Sequence, residues 1–348
     1  MAENYLHGKP VIGITLGDAA GIGPEIVAKV AAKGVLQQYA QPIIVGDERV
    51  LKRGMEIAKV AFEYKVATSI EEAVKLSGLV LLDTRSINAY SLELGEVSPL
   101  CGKDSATNVG ACVEYCKQGL IEGITFAPNN KKAMKLAGFT LNGAIDLLSN
   151  FFEFKGNRGE LNVLDHVFWT SRVTSHIPIK DISQNLTING ILNSIELVNK
   201  TLKRAGINNP RIAVAALNPH GGEGGTCGLE EIEIISPAVE QSKLNGINVQ
   251  GPFPADTLFF KLFKGEFDVA VTMFHDQGQI AMKLKGFDNG VTVMAGLPYP
   301  VTTCSHGTGF DVAGKGIANP GAWENAYILA AKMANEYRVM NFIRKELI

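Results

Sequence analysis

Short apolar, β-branched runs alternate along this chain with longer stretches in which apolar residues recur every three or four positions. The runs predict strands at Val11–Thr15, Pro42–Val45, Leu79–Leu82, Gly123–Ala127, Arg211–Ala216, Val269–Met273 and Val291–Ala295. The longer stretches predict helices at Val50–Lys59, Ile70–Lys75, Ala106–Gly119, Lys131–Ala137, Gly190–Ala205, Glu230–Asn245 and Gly321–Glu336. Such alternation implies an α/β protein with a largely parallel sheet. Between Asn142 and Gly159 the pattern breaks. With Phe151, Phe152 and Phe154 it reads as a helix end followed by a loop.

The first strand runs into Gly17-Asp18-Ala19-Ala20-Gly21-Ile22-Gly23-Pro24-Glu25. A helix follows, with Ile26, Val27, Val30 and Ala31 at helical spacing. Pro24 suits its first turn and Glu25 its positive end. This unit is shaped like a phosphate cradle but carries neither a GxGxxG nor a Walker sequence. There is no repeat, low-complexity tract or Pro/Gly-rich linker. Two lobes would therefore have to be woven by strands crossing between them.

Composition narrows the class. At 348 residues the chain is too long for one simple core and suits two lobes. A net charge of −2 gives no basic surface for nucleic acid or an anionic membrane. No apolar stretch reaches the length of a membrane span, and polar Met1–Lys9 lacks the apolar core of a signal peptide. The expected location is the cytoplasm. Cys101, Cys112, Cys116, Cys227 and Cys304 are odd in number, form no CxxC pair and read as reduced thiols. Cys112 and Cys116, four apart on a predicted helix, have the spacing to clip a soft metal.

The candidate chemistry lies in three histidines, each in a Gly-, Pro- or Asp-flanked context after an apolar run. They are His176 in Thr-Ser-His-Ile-Pro, His220 in Asn-Pro-His-Gly-Gly-Glu-Gly-Gly and His275 in Met-Phe-His-Asp-Gln-Gly. Strand ends are where open α/β sheets hold ligands, and three neutral imidazoles are a common divalent-metal set. Asp276 beside His275 suits a carboxylate that orients an imidazole. His7 reads as a tail residue and His166 as structural or interfacial. Asp256 suits either a helix N-cap or a carboxylate facing the same cleft. Lys131 and Lys283 read as solvated lysines or as groups for an anionic substrate. Lys283, eight residues beyond His275, could also act in acid–base chemistry.

The most specific stretch is His306-Gly307-Thr308-Gly309-Phe310-Asp311-Val312-Ala313-Gly314-Lys315-Gly316-Ile317-Ala318-Asn319-Pro320. It resembles the adenine-ribose loop of the isopropylmalate and isocitrate dehydrogenase superfamily, which binds NAD without a Rossmann fingerprint. With Gly17 to Glu25, Pro128 to Gly138, Ser175 to Pro178, Leu217 to Gly225, Ala255 to Thr257 and His275 to Gly278, the chain resembles the 4-hydroxythreonine-4-phosphate dehydrogenase family of that superfamily. The resemblance runs from about Val11 to Lys332.

The resemblance implies a two-lobed fold with an interlobe cleft. Residues 1–105 and 280–348 would form the cofactor lobe, and 106–279 the metal-binding and dimerisation lobe. It implies a homodimer in which His176, His220 and His275 hold one divalent cation (Zn, Mg, Mn or Co) across the interface. NAD or NADP would be bound through His306, Gly307, Thr308, Asp311, Ala313, Gly314 and Asn319, with the nicotinamide in the cleft near the metal. Asp256 and Lys283 would face the substrate. The implied reaction is oxidation of a secondary alcohol in a hydroxy acid or diol acid, followed by decarboxylation of the β-keto acid.

Departures from the family pattern fall around its phosphosubstrate pocket. The family's Gly-His-Thr-Glu is here Gly143-Ala144-Ile145-Asp146, its arginine in Leu-Pro-x-x-Arg-Thr-Ser is Val301, a nearby asparagine is Thr292, and the aspartate before the last histidine is Ser305. The first three of these changes remove phosphate donors and leave Gly143, Ala144, Ile145, Thr292 and Val301 to meet a different substrate. The expectation is a paralogue acting on an unphosphorylated or cyclic substrate, such as a cis-dihydrodiol carboxylate. The alternatives are an authentic 4-hydroxythreonine-4-phosphate dehydrogenase, a phosphate acyltransferase-like enzyme or a metabolite-binding relative.

Overall fold

Strand β1, Val11–Thr15, is flanked on both sides by parallel neighbours, β2 (Gln41–Gly46) and β5 (Gly123–Phe126). The computed structural model describes residues 8–139 and 143–346, and two compact units emerge: Met1–Gly156 with Val291–Ile348, and Asn157–Gly290. His7 and Asn142 lie outside the described residues.

In the first unit the strands run β3 (Lys65–Ala67), β4 (Val80–Asp83), β2, β1, β5, β12 (Val301–Cys304) and β11 (Gly290–Ala295). All pair in parallel except β11 with β12. Successive residues of a strand face opposite sides, and here both sides are covered. Ile12, Ile14, Ile44 and Leu81 join one core with Trp323 and Tyr327, whereas Ile43, Val45, Val80 and Leu82 join another with Val109, Ile121 and Ile124. This is why the strands read as continuous apolar runs. The flanking helices include α1 (Gly23–Ala32), α2 (Glu48–Ala58), α3 (Pro99–Lys117), α4 (Lys131–Leu136) and α5 (Ala144–Phe151). Helix α3 packs on β1, β2 and β5, so residues 106–156 belong with this unit, and the observed division falls at Gly156 and Gly290.

The second unit orders its strands β6 (Gly159–Leu164), β7 (Phe168–Arg172), β10 (Val269–Thr272), β8 (Ile212–Ala215) and β9 (Val249–Phe253). Only β6 with β7 is antiparallel. Its helices include α6 (Ile188–Arg204), α7 (Ser236–Leu244), α8 (Ala255–Phe263) and α9 (His275–Gly286). Leu258, Leu262 and Phe267 pack with Ala213 and Ala270 in its core. Helix α10, Gly321–Glu346, closes the chain in the first unit.

Several elements depart from the pattern. The β6–β7 hairpin was not predicted, because its strands carry Asn162 and Arg172 and its turn uses Asp165 and His166 in left-handed backbone rather than glycine. The helix end and loop expected after Asn142 are seen as a helix over Ala144–Phe151, with Gly143 at the N-cap position, followed by irregular chain up to Gly159. Helix α9 was hidden by its polar start and by Gly278 and Gly286. Among the described residues no helix is long and apolar enough to cross a membrane.

Candidate active site

Parallel neighbours β7 and β10 end in register, Arg172 beside Thr272. The chain leaving β7 stays tied to the chain leaving β10: Val173 N–H donates to Thr272 O, and Thr174 donates from both its N–H and Oγ1 to Met273 O. His176 and His275 follow a few residues later. Their ring centroids stand 5.7 Å apart, tilted by 39°. Both line one cavity of about 200 Å³, with Ile177, Ile182 and Phe274 as part of its wall.

Each imidazole is held locally. His176 occupies left-handed backbone at φ 56°, so its side chain turns sharply out of the strand direction. His275 opens α9, and Asp276 Oδ1 lies 2.7 Å from its Nδ1. Gln277 pins the start of that helix, accepting from Met273 N–H at 2.8 Å and donating to Ala216 O at 2.9 Å. A carboxylate on Nδ1 leaves Nε2 with a free lone pair. The donor set suits a divalent cation: two imidazoles on one cavity, one with its carboxylate partner.

His220 is built differently. Asn218 to Thr226 forms a loop in which His220, Gly221, Gly222, Glu223 and Gly224 are all left-handed. The loop hangs on buried Glu231, whose Oε1 accepts from the N–H groups of Leu217 and Asn218 at 2.8 Å each. Gly222 is required there, since a Cβ would meet Glu231 Oε2 at 2.6 Å. His220 is exposed. Among the described residues no group of three His, Cys, Asp or Glu side chains is placed to hold a metal within one chain. The structure therefore joins His176 to His275 and leaves His220 outside that pair.

Asp256 is exposed in the first turn of α8, where Pro254 holds the cap position. The N-cap reading is thus corrected, because the helix starts one residue before the aspartate. Lys283 is exposed on α9, and neither it nor Asp256 lines the histidine cavity.

In the first unit the loop from His306 to Pro320 is fastened to α1 and the turn before it. Ile22 N–H donates to Thr308 O at 3.0 Å. Gly21 permits this approach, for a Cβ there would meet Thr308 O at 2.8 Å. Buried Glu25 accepts from Ala318 N–H at 2.8 Å and from Lys29 Nζ at 2.7 Å, and Lys29 also donates to Gly316 O and Ala318 O. Ala313 packs on the core, Asn319 caps α10 by accepting from Gly321 N–H, and Gly307, Asp311 and Gly314 are exposed. His306 Nε2 is buried without a partner. That orphaned nitrogen and the glycine-lined approach fit a loop that receives a polar ligand such as a nucleotide. Pattern reading missed the Glu25–Lys29 clamp. The one available signal was their i, i+4 spacing on α1.

The family of the pyridoxal phosphate biosynthetic protein PdxA matches this chain over residues 38–330. The chain belongs to the PdxA family. It is 42% identical over 343 residues to the putative 4-hydroxythreonine-4-phosphate dehydrogenase 2 of Rhizobium meliloti strain 1021, with 98% of each chain covered. The crystal structure of 4-hydroxythreonine-4-phosphate dehydrogenase from Klebsiella pneumoniae superposes with a TM-score of 0.83 at 32% identity, covering 94% of this chain and 98% of that one. A terephthalate 1,2-cis-dihydrodiol dehydrogenase from Burkholderia xenovorans LB400 superposes at TM-score 0.64 and 25% identity, covering 93% and 98%. This PdxA-family chain is accordingly a dehydrogenase, with the mixed α/β fold of its relatives.

Within that family, the positions that depart from the phosphosubstrate pattern are apolar or neutral here. Val301 is 0% exposed and packs in the core with Ile124, Leu148, Met294 and Leu297, so it offers no surface to a ligand. Ala144 and Ile145 are partly buried against the same core. Thr292 Oγ1 pairs with Ser305 Oγ at 3.0 Å. Gly143 adopts extended backbone at the start of α5. None of these positions carries a guanidinium or an imidazole.

Proposed function

We propose that this protein is a metal-assisted NAD(P)-dependent dehydrogenase that oxidises a secondary alcohol in a hydroxy acid or diol acid and decarboxylates the β-keto acid formed. The proposed substrate is not 4-phosphohydroxythreonine. The observation that carries the reaction class is the convergence of His176 and His275 at 5.7 Å on one cavity, with Asp276 on His275. A divalent cation held there would supply Lewis acidity for oxidation of the alcohol, and a nicotinamide cofactor would supply the hydride acceptor. His176 and His275 hold the cation, and His220 of a second subunit completes the set in a homodimer. Loop 306–320 receives the nucleotide through His306, Gly307, Thr308, Asp311, Ala313, Gly314 and Asn319. Lys283 Nζ takes or returns the proton, and the Asp256 carboxylate orients the substrate. The protein acts in the cytoplasm.

The substrate claim is supported by the residue types at Ala144, Ile145 and Val301, which supply no charged donor of the kind a phosphate needs. The likeness to a terephthalate dihydrodiol dehydrogenase supports an unphosphorylated acid, cyclic acids included, as the substrate class. The competing reading, an authentic 4-hydroxythreonine-4-phosphate dehydrogenase, is favoured by the names of the relatives. A substrate panel decides between them. Purified protein is assayed at 340 nm with NAD and NADP, with Mg²⁺, Mn²⁺, Zn²⁺ or Co²⁺, against phosphorylated and unphosphorylated hydroxy acids. Robust turnover of 4-phosphohydroxythreonine would overturn the changed-substrate claim.

A further inference from the structure

We infer that Arg172 is a positioning residue for the paired imidazoles, acting through Ser175 on His176 and through Asn162 and Gln279 on the helix that carries His275. This rests on the metal reading above. Arg172 ends β7, and its side chain is only 9% exposed. All three guanidinium nitrogens donate at 2.9 Å: Nε to Ser175 Oγ, Nη1 to Asn162 Oδ1 and Nη2 to Glu160 Oε2. Glu160 and Asn162 stand on the antiparallel neighbour β6, and Glu160 balances the charge.

Two arms leave this rigid fork. The first is short. Ser175 Oγ lies 3.4 Å from His176 Nδ1. The hydroxyl oxygen receives Arg172 Nε–H on one lone pair and has a second that accepts Nδ1–H from the tautomer of His176 proposed here. Nδ1–H bonded in this way leaves Nε2 unprotonated, the form a cation requires. The second arm runs through Asn162 Oδ1, which also accepts from Gln279 Nε2. Gln279 sits four residues beyond His275, one turn along α9. One planar group thus references both histidine-bearing segments to the same point. Arginine suits that task because its donors are fixed relative to one another, whereas the ammonium of lysine is a point charge on a flexible stem. A purely structural hairpin would be served as well by apolar packing, since burying an ion pair adds little stability of its own.

The test is metal affinity of the full-length protein, stripped and reloaded with Co²⁺. Calorimetry gives the affinity, the visible Co²⁺ bands report ligand geometry, and thermal unfolding of the metal-free protein reports the fold. Ser175→Ala leaves no charge unpaired, and it is expected to weaken Co²⁺ binding about 10- to 100-fold while the metal-free melting temperature stays close to wild type. Ser175→Thr keeps the hydroxyl and is expected to restore the affinity. Arg172→Lys keeps the charge beside Glu160 but not the fork, and is expected to weaken binding and move the Co²⁺ bands. Wild-type affinity and bands in both Ser175→Ala and Arg172→Lys would overturn the inference. So would equal losses in Ser175→Ala and Ser175→Thr, which would show that packing is at stake. If wild-type protein binds no divalent cation, the metal reading fails, and the inference fails with it.

Discussion

His176 and His275 reach one cavity by different means, and their chemistry depends on what each ring touches. Asp276 is the partner of His275 Nδ1 at 2.7 Å. Asp276→Asn is expected to lower divalent-metal affinity about 10- to 100-fold, measured by calorimetry, with little loss of fold because the residue is exposed. A second residue-scale effect lies in the first unit. Burial pushes the Asp18 carboxyl from its ordinary 3.8 up to about 6, against the lowering effect of the bond from Ala20 N–H. The folded state therefore holds this proton more tightly than the unfolded chain. The corresponding stability, at most about 3 kcal/mol, is fully present below pH 3.8 and is lost as pH rises through about 6. Asp18→Asn removes that dependence and can keep the bond from Ala20. Thermal unfolding between pH 4 and 7 should show the variant gaining on wild type as pH rises. Parallel curves would refute this.

At the scale of elements, α1 and the loop it holds form one device. Glu25 is 1% exposed, and removing Lys29 leaves its carboxylate buried without an ammonium partner. Lys29→Met is expected to cost roughly 3 kcal/mol in denaturant unfolding, to raise the NAD dissociation constant and to speed proteolysis between Gly314 and Ala318. Unchanged cleavage there would separate the clamp from the loop. The elements also show where pattern reading stops. β1, β2 and β5 were legible because parallel strands buried on both faces are apolar throughout. The β6–β7 hairpin was not, since Glu160, Asn162 and Arg172 satisfy one another across the pair and interrupt the apolar signal. Helix α9 was missed for a similar reason: its first turn is occupied by groups with tasks, His275, Asp276 and Gln277.

At the scale of the whole molecule the decisive question is the second subunit, because His176 and His275 converge within one chain while His220 does not join them. A homodimer with a shared site predicts complementation. His275→Ala and His220→Ala proteins, each inactive, should regain about a quarter of wild-type activity when unfolded and refolded together, since half the dimers are mixed and each mixed dimer rebuilds one of its two sites. Sedimentation should give a dimer for each protein alone. No recovery in confirmed mixed dimers would place all three histidines in one chain or remove His220 from the site. By itself the sequence determined the α/β class, the family and the histidine contexts, because these rest on local periodicity and on contiguous motifs. Only the tertiary structure decided that His176 and His275 meet while His220 stands apart. It also decided that Val301 is core rather than pocket, and that Glu25, Lys29 and Arg172 act at a distance along the chain. Contacts between residues far apart in sequence follow from strand order and register, and no local pattern encodes those.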